Sequence, residues 1–87
     1  MQQDDNLKSL DDLIVSLGGS NDLRRNSPGS ADFLVEHLQS ARRSLLGSMP
    51  QEYSFNLQQA RETAGSISDK SARSETRARL QELIDRR

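Results

Sequence analysis

Apolar residues in this chain return every three or four positions, and that spacing commits it to helices. Leu34, Leu38, Ala41 and Leu45 are spaced 4, 3 and 4; Tyr53, Leu57, Ala60, Ala64 and Ile67 are spaced 4, 3, 4 and 3. Such intervals place the residues on one stripe of a helix, and two matching stripes in succession predict an antiparallel helical hairpin. A third stripe follows in Ala72, Thr76, Leu80, Leu83 and Ile84. No stretch alternates apolar and polar residues over a useful strand length; Leu13–Ser16 is short and fits a helical stripe better.

Boundary signals agree with this reading. Ser30 stands ahead of the first stripe as an N-cap, and Gly47 follows it as a stop. Ser48, Pro50 and Gln51 resemble a second start: a cap, a first-turn proline and the third position of a capping box. Ser68, Asp69 and Ser71 offer caps for the last helix, and Arg86 and Arg87 near its end favour the helix dipole. The fold class expected is all-α: a small up-down three-helix bundle over about 31–86, with helices near 31–46, 50–66 and 70–86. Its core is expected to hold Leu34, Leu38, Leu45, Leu57, Ala60, Ala64, Ile67, Leu80, Leu83 and Ile84. The first half of the last helix is weakly apolar, which predicts looser packing there.

The N-terminal part differs. Leu7, Leu10, Leu13, Ile14 and Leu17 form one more stripe, with Asp4 and Asp5 at its start and Gly18 and Gly19 at its end. This predicts an acidic amphipathic helix at about 5–17. Residues 18–30, rich in Gly, Ser, Asn and Pro, read as a flexible linker of roughly 20 Å reach. The domain organisation expected is therefore a helix at 1–17, a linker at 18–30 and a bundle at 31–87. Residues 1–23 carry five aspartates against one lysine, whereas the rest carries eleven basic and eight acidic side chains. An acidic arm beside a mildly basic body favours attraction within one chain or between two.

Composition removes several functions. The 87 residues include no cysteine, so thiolate catalysis, disulfides and cysteine-held zinc are excluded. No apolar run reaches the roughly 18 residues of a membrane span, and the acidic start lacks the character of a signal peptide; a soluble, cytoplasmic protein is expected. The single histidine, His37, adjoins Glu36, but adjacent helical residues diverge by about 100° and no nucleophile or second ligand accompanies them. Asp32 and Glu36 lack a matching Glu-x-x-His motif, and Gly18-Gly19-Ser20 lacks the lysine of a phosphate loop. No catalytic residue, metal site or cofactor is expected, and the chain is read as non-enzymatic.

What remains is contact. A short amphipathic helix is marginal alone and needs a surface. It can dock on its own bundle, exchange into a second copy, or offer Leu7, Leu10, Leu13, Ile14 and Leu17 to a groove on another protein. The leading expectation is a protein-interaction module, adaptor-like or regulatory, whose partner is another protein or a second copy. The alternative is a small nucleic-acid-binding regulator using Lys70, Arg73 and Arg77 on the last helix. Against it stand Glu75, Glu82 and Asp85, which interrupt the basic surface, a formal charge of −1, and a near absence of stacking aromatics. The acidic first helix also argues against a membrane partner, because anionic lipids repel it.

Overall fold

The computed structural model describes residues 2–86, with side chains from residue 4 onward. The described residues are all-helical, with five helices in the order α1 (Gln2–Gly18), α2 (Asn21–Asn26), α3 (Pro28–Leu46), α4 (Pro50–Ala64) and α5 (Lys70–Asp85). No strand is present among them. Helices α3 and α4 fold back on each other and make the largest interface; α5 continues the meander against α4, and α1 lies along α3. The result is an elongated body of 34 × 19 × 19 Å.

One core serves all five helices. Leu34, Leu38, Ala41, Leu57, Ala60, Ala64, Ile67, Leu80 and Leu83 are buried, as the stripes predict, and Leu10, Leu13 and Leu17 of α1 and Leu23 of α2 join the same cluster. Leu45 departs from expectation in being only partly buried, packed against the edge of the cluster. Ala41 of α3 and Ala60 and Ala64 of α4 are fully buried in this core, and small side chains at a helix contact permit close approach. Ala72, at the start of α5, is half-buried and borders two crevices, of about 230 Å³ against α2 and about 110 Å³ against α1.

Residues 18–30 differ from the expected linker, because most of them are helical. Ser20 caps α2: its side chain accepts from the Leu23 N–H at 3.2 Å. Asp22 in the first turn and Arg24 and Arg25 in the last complement the dipole of a six-residue helix that buries a single apolar side chain, Leu23. Helix α3 begins at Pro28, two residues ahead of Ser30, with Pro28 in its first turn. The position before it is Ser27, whose buried hydroxyl caps nothing. It accepts from the Ser68 N–H at 2.9 Å and bonds the Ser68 hydroxyl at 3.0 Å, pinning the α2–α3 corner to the α4–α5 turn.

The α3–α4 turn has Gly47 directly after α3, where the stop is expected, and corrects the reading of Ser48. Gly47 has φ −84°, an ordinary right-handed value, and the left-handed residue is Ser48, at φ 56°. Met49 N–H bonds Ser44 C=O at 2.9 Å and Ser48 N–H bonds Leu45 C=O at 3.2 Å, the paired bonds of a Schellman motif whose left-handed position is Ser48. Ser48 therefore ends α3 instead of capping α4, and the residue before Pro50 is Met49, which offers no side-chain cap. A non-glycine residue in left-handed conformation costs roughly 1–2 kcal/mol. We expect Ser48→Gly to raise stability by about 1 kcal/mol in a urea denaturation series, with an unchanged slope. At the start of α5, Asp69 caps as predicted, accepting from Ala72 N–H at 2.8 Å.

Candidate partner-binding site

The five residues assigned to partner contact divide in the structure. Leu10, Leu13 and Leu17 are buried in the shared core, and Leu7 and Ile14 lie half-buried at its margin. All five are brought to one face of α1, and that face is occupied by the body of the same chain. The exposed side of α1 carries Asp4, Asp5, Asp12 and Val15, the last 73% exposed.

The groove that receives α1 is lined mainly by α3 and only sparsely by α5. Among the described residues its polar fastenings are few. Asp11 Oδ1 receives the Arg42 Nε–H at 2.7 Å, in an ion pair whose side chains are each nearly half exposed. Such a pair contributes little, on the order of 0–1 kcal/mol. Arg86 Nη2 donates to Ser9 Oγ at 2.8 Å. The crevice between α1 and α5, bordered by Leu13, Leu17 and Thr76, leaves that side of the helix incompletely closed.

The other end of the α1 seat holds polar atoms left without partners. Among the described residues, Asn6 Oδ1, Tyr53 OH and Arg86 Nε are buried and make no hydrogen bond. Ser9 lies one helical turn from Asn6, so the Arg86–Ser9 contact brings Arg86 to this part of α1. Burial raises the Tyr53 hydroxyl above the usual tyrosine range, partly offset by the Arg86 guanidinium, which favours the phenolate. Each unpaired group costs about 1–3 kcal/mol of desolvation. Tyr53→Phe removes one without disturbing the ring, so stability near neutral pH should be unchanged or up to about 1 kcal/mol higher. Because the folded state holds the proton more tightly, stability is independent of this group's titration below pH of about 10 and falls as pH rises from there through the native value. Tyr53 is the chain's single tyrosine. Ultraviolet titration of tyrosinate reads the shift directly, and the alkaline loss of stability should shrink in Tyr53→Phe.

The basic residues of the alternative reading differ in their surroundings. Arg73 turns its guanidinium to the Ile67 carbonyl at 3.2 Å, securing the α4–α5 turn, while Lys70 and Arg77 are exposed. Arg42 is held by Asp11, and Arg43 donates to Ser40. His37 stacks on Phe33, with ring centroids 6.3 Å apart and planes at 21°, beside exposed Glu36. Among the described residues no group of three or more His, Asp or Glu side chains could hold a metal ion, and no helix is long and apolar enough to cross a membrane.

Sequence reasoning gave Asn6 no role, placed Tyr53 only on the apolar stripe of α4, and read Arg42 only as a phosphate contact of the nucleic-acid alternative. Arg86 was expected only to complement the helix dipole, and nothing along the chain announces its approach to Ser9, 77 positions away. No family model, no characterised protein and no solved structure matches this chain.

Proposed function

We propose that this protein is a non-enzymatic protein-interaction module whose working parts are α1 and the groove that α1 occupies. Helices α3, α4 and α5 are the receptor body, and α1 is an exchangeable helix seated on it. The observation that carries this reading is the manner of attachment. α1 supplies three leucines to the core, yet it rests chiefly on one neighbour, through one half-exposed ion pair and a hydroxyl contact. It is joined to α2 only by Gly19 and Ser20. A helix held this way can leave while the helices behind it stay folded, since segments with few fastenings open below the global unfolding free energy.

Native-state hydrogen exchange tests this. The amides of residues 10–17 should exchange through an opening of lower free energy and smaller denaturant dependence than the amides of α3 and α4. Exchange of α1 only through global unfolding would count against an exchangeable helix and against the function built on it.

A further inference from the structure

The edge that Arg86 turns toward α1 is made for a carboxylate, and α1 does not supply one. A guanidinium binds a carboxylate side-on through two parallel hydrogen bonds, and Nε and Nη2 lie on the same edge. In this chain Nη2 is satisfied by the Ser9 hydroxyl at 2.8 Å, while Nε is buried and unpaired. A single hydroxyl oxygen cannot occupy both positions. Two residues on, at the other flank of Leu10, Arg42 uses its own Nε on a true carboxylate, that of Asp11, at 2.7 Å. The seat of α1 thus presents two arginines, and the resident helix answers one with charge and the other with a neutral hydroxyl.

We propose that the α1 seat is a receptor for an acidic amphipathic helix of another protein, one carrying a carboxylate where α1 has Ser9. The partner helix keeps the α1 register: three leucines at the positions of Leu10, Leu13 and Leu17, a carboxylate just before the first to fill the Arg86 edge, and one just after it to pair with Arg42. Such a helix competes with α1 on better terms, because it reproduces the apolar contacts and satisfies the atom that α1 leaves unpaired. Arg86 is then the residue that distinguishes partner from resident. This inference rests on α1 being exchangeable.

Two synthetic peptides spanning residues 4–18 test it, one of native sequence and one carrying Ser9→Asp, each titrated into the full chain. The chain has no cysteine. A Val15→Cys substitution on the exposed side of α1 therefore accepts a single fluorophore, whose anisotropy falls when α1 is displaced. The Ser9→Asp peptide should displace α1 saturably at a concentration about tenfold or more below that required of the native peptide, as a hydrogen-bonded charge pair implies. The advantage should shrink as salt rises. It should vanish in the Arg86→Lys protein, which keeps the charge and loses the fork. Equal displacement by both peptides would overturn the proposal and make a second copy of this chain as fit an occupant as any acidic helix. Displacement by neither peptide would overturn it together with the exchangeable seat, and the hydrogen-exchange experiment would show α1 opening only with the whole fold.

Discussion

Leu38→Asp should leave no cooperative unfolding transition. Leu38 is fully buried in the middle of α3, the helix against which α1, α2 and α4 all pack. Removing a buried leucine side chain costs about 2–5 kcal/mol, and an unpaired carboxylate in the same space adds several more unless it takes up a proton. A domain of this length has on the order of 4–13 kcal/mol to lose. No local opening relieves the strain, because α3 cannot leave without dissolving its interfaces with α1, α2 and α4. Thermal melting followed by circular dichroism should show a broad, sloping loss of helix in place of a sigmoid. A sharp transition near the wild-type midpoint would mean that the register of α3 is other than the one described.

Leu13→Asp should behave differently despite an identical chemical change. Leu13 is as deeply buried, at 1% exposure, but it sits on α1. The charge escapes burial if α1 undocks, so the cost to the chain is limited to the docking free energy of that helix. The expected result is a body that still melts cooperatively at a lower midpoint, with α1 amides exchanging almost freely and those of α3 and α4 still protected. Light scattering over a concentration series should also register the groove left open, as association that increases with concentration. Should Leu13→Asp abolish cooperativity as completely as Leu38→Asp, α1 would be an obligatory part of the fold and not a detachable one.

The contrast between these two leucines was not visible in the sequence, where both stand on equally regular stripes. The stripes themselves were legible: α3, α4 and α5 lie close to where their intervals put them, because the core rows of a hairpin leave a direct imprint on spacing. α2 left almost none. It has one buried apolar residue, Leu23, so periodicity cannot register it, and its glycine-, serine- and proline-bearing surroundings resemble a loop. What marked it was Ser20 followed by Asp22 and then Arg24 and Arg25, a cap and charge order that outweighs composition only once Leu23 has a core to enter. The Ser48 turn was hidden by its neighbour: Gly47 is the residue suited to a left-handed conformation, yet the chain places that conformation one step later. The seat of α1 was the least legible feature. Asp11 and Arg42 are 31 positions apart and Ser9 and Arg86 are 77, and no local rule connects such pairs.

That longest contact also orders events during synthesis. Arg86 is made 69 positions after Leu17, and ribosomes add about 5–20 residues per second. For roughly 3–14 s of every translation, α1 exists without the Arg86 end of the seat it will occupy, an acidic strip whose seat is still incomplete. Any chaperone or partner that recognises such a strip meets it first on the nascent chain, before the mature fold competes for it.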